Sequence, residues 1–319
     1  MKTSLFVILL NFFSITSFAQ LKNDLVLQES EVVLKTIKGD LFGALTTPDN
    51  VTTYPVVLII AGSGPTDRDC NSAMGFQTNA YKMLAESFAK SGIATLRYDK
   101  RGIGKSKSAM ISESELRFET YINDAVEWIK LLKTDKRFTS VIVLGHSEGS
   151  LIGMVAAQQI KIDKFISIAG SGKSADNLLK DQLKTNLTFQ LLLESNRILD
   201  SLKSGKTVSN VNSQLFSLFR PSVQPYMISW MKYDPVNEIA KLNIPILIIQ
   251  GTTDLQVPVE DAKLLSAANR NAKLFIVEKM NHVLKEADSN VQQNRATYAN
   301  PALPLKEGLT DELVSFIKH

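Results

Sequence analysis

The chain holds a single cysteine, Cys70, among 319 residues, so it can form no intramolecular disulfide. Cys70 follows Asp67-Arg68-Asp69 without the clear basic setting that a reactive thiol needs, and its simplest reading is a free thiol in a loop. Histidine is equally scarce, with His146, His282 and His319 alone, and no His or Cys pair stands at metal-ligand spacing. Neither sign of charge dominates: Lys and Arg number 36 against 32 Asp and Glu, a net charge of +4. The basic residues are scattered, without the stripe or motif of a nucleic-acid binder, so no nucleic-acid partner is expected. Internal repeats and low-complexity tracts are absent. After the first twenty residues no apolar run is long enough to cross a bilayer.

What the chain does contain begins with a leader. Lys2 supplies a positive start, Leu5 to Ile15 is apolar except for Asn11 and Ser14, and Ser17-Phe18-Ala19 places small residues at −3 and −1. This reads as a signal peptide, residues 1–19, cleaved to leave Gln20 first and to export residues 20–319 to the periplasm or beyond. The apolar run is short for a membrane anchor. The chain as a whole is 44% hydrophobic, enough for one large domain with a sizeable core.

Strand-like residues 24–36 and 40–47 meet at Ile37-Lys38-Gly39-Asp40, a hairpin signature. Buried-strand patterns then alternate with helical ones. Strands are expected at Val56–Ala61, Ile93–Tyr98, Ser140–Leu144, Phe165–Ala169, Pro245–Gln250 and Lys273–Val277. Helices are expected at Asn79–Ser91, Tyr121–Lys133, from Ser147 onward, and near 259–269 and 307–318. Continuous apolar strands separated by helices imply an α/β fold with a mostly parallel sheet covered on both faces. Residues 173–237 break the rhythm, with helical patterns at Asn177–Leu202 and Ser213–Phe219 and no good strand. They are too long for a plain crossover and read as a helical cap insertion.

The chemistry gathers at a few of the predicted strand ends. Gly145-His146-Ser147-Glu148-Gly149 closes the strand Val141–Leu144 and opens a helix. A G-x-S-x-G match alone is weak, but a serine at a sharp strand-to-helix turn presents its hydroxyl beside the positive end of a helix. The competing reading of Ser147 is a helix N-cap. A serine nucleophile needs a base. His146 lies within the turn and His319 ends the chain, which leaves His282, just past the last strand. Asp254, at the end of Pro245–Gln250, suits the orienting carboxylate better than Asp261 or Glu278. For the oxyanion, Glu148 supplies an N–H as the residue after the nucleophile, and Ser63 in Gly62-Ser63-Gly64-Pro65 supplies a second.

These residues together resemble the α/β-hydrolase superfamily, and within it bacterial serine esterases that carry GSGPTDRD after the third strand and RYDKRGIGKS after the fourth. The resemblance covers roughly residues 25–319. It implies an α/β-hydrolase fold, a triad of Ser147, Asp254 and His282 in that chain order, an oxyanion hole at Ser63 and Glu148, and a lid at the insertion. Such esterases often have glycine where this chain has Cys70. The implied activity is cofactor-independent hydrolysis of small acyl esters through an acyl-enzyme. A peptidase of the prolyl-aminopeptidase kind and a thioesterase stay open beside it, as does a binding protein that has lost turnover.

Three further expectations follow. Asp67, Arg68 and Asp69 either pin the oxyanion loop through Arg97 or Arg101 or form a solvated turn. Gly104-Lys105-Ser106 and Gly170-Ser171-Gly172-Lys173-Ser174 imitate the end of a phosphate-binding loop, but the required earlier glycine is Asp99 in one and Ser167 in the other. In the cap, Leu191, Leu192, Leu193, Phe216, Phe219, Met227 and Trp230 are more apolar than a solvent-washed loop needs. Some of them are expected to line an acyl pocket.

Overall fold

The computed structural model describes residues 27–319 apart from residues 50, 185 and 186, so the expected leader lies outside the described residues. The strands are β1 Gln28–Leu34, β2 Leu41–Thr47, β3 Tyr54–Ile60, β4 Asn71–Ser72, β5 Phe76–Gln77, β6 Ala94–Tyr98, β7 Phe138–His146, β8 Lys164–Ile168, β9 Ile246–Gly251 and β10 Ala272–Val277. Eight of them form one sheet in the order β1-β2-β6-β3-β7-β8-β9-β10. The β1–β2 and β2–β6 pairs are antiparallel, and every pair from β6 to β10 is parallel.

Side-chain alternation along each strand fills two cores. Val56, Leu58, Ile60, Val143 and Ile248 face one side, with Trp128 and Ile129 of α2 (Phe118–Thr134) and Ile152 of α3 (Glu148–Gln159). Val57, Ile59, Ile142, Leu144 and Ile249 face the other, against Leu84 and Phe88 of α1 (Ala80–Lys90) and Leu313 of the terminal helix at Leu309–Lys318. Strands buried on both faces must be apolar at every position, which is why they read as unbroken apolar runs. Each such Val, Leu or Ile contributes about 1.5–3 kcal/mol on burial.

The chain runs from β3 outward to β6, then crosses back to β7 on the other side of β3. That reversal places a crevice beyond the carboxyl ends of β3 and β7, where open parallel sheets bind ligands. The loops leaving both strands carry the motif residues named above.

Residues 175–240 contain α4 Ala175–Lys184, α5 Phe189–Lys203, α6 Phe216–Phe219, α7 Gln224–Trp230 and α8 Pro235–Ala240, and no strand among the described residues. Most of this segment packs on its own small core of Leu179, Ile198, Leu199, Leu202, Leu215 and Phe219. The single helical pattern expected over Asn177–Leu202 is two helices. Among the described residues no helix is long and apolar enough to cross a membrane.

Candidate active site

Ser147 sits at φ 55°, ψ −122°, between the end of β7 and the first turn of α3. A non-glycine residue held there costs on the order of 1–3 kcal/mol, so the surroundings must enforce it. They do so by close approach. A Cβ on Gly145 would lie 2.3 Å from the Gly149 carbonyl oxygen, and one on Gly149 would lie 2.2 Å from that of Ile60. The two glycines therefore let α3 press against the ends of β3 and β7. The Ser147 side chain makes no capping hydrogen bond to α3, which removes the N-cap reading. Its neighbour Glu148 opens the helix, so its N–H has no intrahelical acceptor.

His282 and Asp254 come together from two later loops. His282 Nδ1 lies 2.8 Å from Asp254 Oδ2. A carboxylate only accepts, so Nδ1 carries the proton and the neutral ring keeps its lone pair on Nε2. Asp254 is braced on both oxygens: Oδ1 accepts from the backbone N–H of Gln256 (2.8 Å) and Val257 (3.0 Å), and Oδ2 also accepts from Gln250 Nε2 (3.0 Å). Burial alone would raise this carboxyl, but electrostatic attraction to His282, the hydrogen bond from it and the backbone donors outweigh it and hold the pKa below the ordinary value. Asn281 fixes the histidine loop, accepting from Val283 and Lys285 N–H and donating to Asn294 and Thr297. Asn294 in turn donates to the Thr253 carbonyl, tying that loop to the one that carries Asp254. Ser147 and His282 line one cavity, together with Ser63.

The two other acids weighed in the sequence stand apart from His282. Asp261 is fully buried and accepts from Ser171 Oγ and Gly172 N, both at 2.8 Å, so it braces the chain leading into the cap. Glu278 is exposed and accepts from Thr252 Oγ1.

The loop that carries Ser63 is held from below. A Cβ added to Gly62 would lie 3.1 Å from Ser147 Cβ. Lys100 is buried and donates to the Gly62 carbonyl, and burial lowers its pKa. Of the alternatives left open by the sequence, the pinned loop is the one formed: Asp69 pairs with Arg97, Arg68 pairs with Asp99 at 2.6 Å, and Arg101 turns away to Asp124. Among the described residues Asp67 pairs with no cation; its Oδ1 accepts from the Asp69 and Asn71 N–H instead. Asp99 also accepts from Lys105 N, and Gly104 at φ 49° makes room for it, since a Cβ there would lie 2.5 Å from the carboxylate. The imitation phosphate loop is thus the cradle of the buried carboxylate in the Arg68–Asp99 ion pair. Cys70 adopts φ 72°, a conformation that favours glycine. Its thiol is buried, and burial pushes its pKa up to about 11, so it stays protonated.

His146 was set aside in the sequence as part of the turn, and the structure gives it a place of its own. Its Nε2 lies 2.8 Å from the His282 carbonyl oxygen, and its Nδ1 lies 2.8 Å from the Tyr81 hydroxyl. The carbonyl only accepts, so Nε2 carries the proton, Tyr81 donates to Nδ1, and Gly62 N–H donates to the Tyr81 oxygen at 3.4 Å. One buried chain of hydrogen bonds thus joins the Ser63 loop to the His282 backbone. No spacing in the sequence announces it, because its partners lie 65 and 136 residues from His146. Burial and the neighbouring His282 depress the His146 pKa to about 3. A histidine depressed below its unfolded value of about 6.5 contributes stability that is present above pH 6.5 and lost as pH falls toward 3. Between pH 7 and pH 5 the loss is about 2 kcal/mol. Urea unfolding should show that loss in the wild type and not in His146→Gln; equal pH dependence in both proteins would contradict it.

The cap side of Ser147 is a cavity of about 490 Å³, lined by Leu116, Leu151, Leu179, Met227 and Trp230 among others. Of the seven apolar residues singled out in the sequence, Met227 and Trp230 line it, while Leu191, Leu192, Leu193, Phe216 and Phe219 do not. Phe219 and Leu191 pack in the segment's own core, and Leu193 and Phe216 are 54% and 49% exposed, so these five are corrections to the acyl-pocket expectation. Glu148 turns its carboxylate toward the cap and accepts from Tyr226 Oη at 2.7 Å, and burial raises its pKa.

Sheet order, crossover and strand-end residues define an α/β-hydrolase fold. Residues 73–288 match the family described as serine aminopeptidase, S33, and the chain belongs to that family. Among curated proteins it is 28% identical over 284 residues to esterase EstD of Thermotoga maritima, covering 88% of this chain but only 64% of EstD. Among solved structures, Est1E of Butyrivibrio proteoclasticus with ferulic acid bound superposes at a TM-score of 0.60 and 18% identity, covering 90% of this chain and 96% of Est1E. The Pyrococcus furiosus esterase Pf2001 superposes at 0.56 and 18%, covering 92% and 94%. At these identities the two structures speak for the fold.

Proposed function

We propose that the chain is a serine hydrolase that cleaves carboxylic esters of small molecules through an acyl-enzyme. The observation that carries this reading is the meeting, at one cavity, of Ser147 on its strained turn with the His282–Asp254 hydrogen bond. Ser147 Oγ attacks the ester carbonyl while its proton passes to His282 Nε2, and the Ser63 and Glu148 N–H groups receive the oxyanion. Collapse of the tetrahedral intermediate breaks the bond to the alcohol oxygen, which takes the proton from Nε2 and leaves as the alcohol. Water repeats the sequence: its proton goes to Nε2, the acid is released, and Ser147 regains its hydrogen. Asp254 keeps the proton on Nδ1 throughout and stabilises the imidazolium.

The name of EstD supports an ester substrate. A second reading, removal of an amino-terminal residue from a peptide, draws on the family description and on the presence of the acidic Glu148 in the lining of the cavity beside Ser147. A panel of p-nitrophenyl acetate, butyrate and octanoate against prolyl and alanyl p-nitroanilides separates the two. Esters should lead in kcat/KM by at least about tenfold; a protein that prefers an aminoacyl anilide to every ester is an aminopeptidase.

A further inference from the structure

Ser147 lies where two cavities meet, and they differ in chemistry. Both include Ser63, Gly64, Pro65 and Gln256. The cap-side cavity of about 490 Å³ carries charged side chains, namely Lys100, Glu113, Glu148, Lys173 and Arg220. The second, about 230 Å³, runs beneath the small hairpin of β4 and β5, and its lining among the described residues has no Lys, Arg, Asp or Glu. His282 belongs to the second cavity and not to the first. Two apolar side chains of the hairpin open onto it: Met74, 75% exposed, and Phe76, 38% exposed and 5.6 Å from the Tyr298 ring. Neither is needed by the core, since both remain exposed in the folded chain.

The proposed reaction fixes which half of the ester goes where. The leaving oxygen must take its proton from His282 Nε2, because Nδ1 is engaged by Asp254. The alcohol therefore departs on the side that His282 lines, and the acyl chain extends under the cap. We infer that the hairpin cavity is the alcohol site, and that Met74 and Phe76 make it select neutral, apolar alcohols, aromatic ones above all. The assignment rests on the reading of Ser147 as nucleophile. An uncharged lining gives a charged alcohol no partner for its lost hydration. A methionine and a phenylalanine at the mouth gain burial and ring contact only from an apolar guest.

Esters that share one acyl group pass through the same acyl-enzyme, which separates alcohol effects from all others. The test uses the full chain with methyl, benzyl and choline butyrate, since methanol and benzyl alcohol are leaving groups of similar basicity. Wild type should favour benzyl over methyl in kcat/KM and turn over the choline ester least. Phe76→Ser and Met74→Ser should each lower the benzyl-to-methyl ratio by about tenfold, within the range that one missing apolar contact gives. The deacylation rate of the butyryl-enzyme, read in single turnover, should not change, because the alcohol has already gone. Leu218→Ala, in the cap-side cavity, should do the opposite: shift acyl-chain preference and leave the benzyl-to-methyl ratio alone. An unchanged ratio in both hairpin variants, or deacylation slowed in parallel with acylation, overturns the assignment. Failure of the underlying reading looks different: no ester of any alcohol gives an acyl-enzyme on Ser147.

Discussion

Ser147→Ala is expected to fold normally and to lose nearly all hydrolysis, on the order of 10⁶-fold in turnover, the scale at which nucleophile removals act in triad enzymes. The change deletes one half-buried hydroxyl, so thermal unfolding should stay close to that of the wild type. The strain at φ 55° belongs to the backbone and persists with alanine. A variant that retained wild-type ester hydrolysis would remove the chemical reading of the whole site. A variant that lost activity only through unfolding would show it in the melting curve.

Asp254→Asn should lower turnover by roughly 10⁴-fold with little change in KM, and the hydrogen bonds around Asp254 say why. Oδ1 receives two backbone N–H donors, so an asparagine must put its carbonyl oxygen there. Its amide nitrogen then occupies the Oδ2 position, facing His282 Nδ1 and the Gln250 amide. The new N–H donates to Nδ1, which moves the ring proton to Nε2, the atom that must accept from Ser147. The control is Asp261→Asn. Among the described residues Asp261 accepts its hydrogen bonds on Oδ1 alone, so the amide nitrogen can take the Oδ2 position, and the change should leave kcat within a few-fold of wild type. Comparable losses in the two variants would mean that Asp254 does not set the histidine tautomer.

The sheet, the chain order of Ser147, Asp254 and His282, and the Ser63 loop were readable from the sequence. Buried parallel strands are apolar at every position, and residues that bear chemistry sit at their ends. The β4–β5 hairpin was not, because two-residue strands leave no period to detect. Nor were the buried hydrogen bonds through His146 and Tyr81, or the brace from Gln250 to Asp254, since side chains that meet only in the folded chain leave no local pattern. Phe216 and Trp230 show the same limit within the cap. Both are aromatic residues on helical segments, and only packing decides that Trp230 faces the cavity while Phe216 faces solvent. Asp261 shows it for acids, since a buried bracing carboxylate and an orienting one look alike in a single sequence.

The most direct test of the central claim is covalent labelling with a fluorophosphonate, followed by mass-spectrometric mapping of the adduct. Phosphonylation requires a serine hydroxyl activated by a base beside an oxyanion hole, and it does not depend on guessing the substrate. The expected result is one adduct per chain, on the peptide that contains Ser147, absent in Ser147→Ala and much slowed in Asp254→Asn. A wild-type protein that takes up no label, or takes it up equally in Ser147→Ala, would contradict the account.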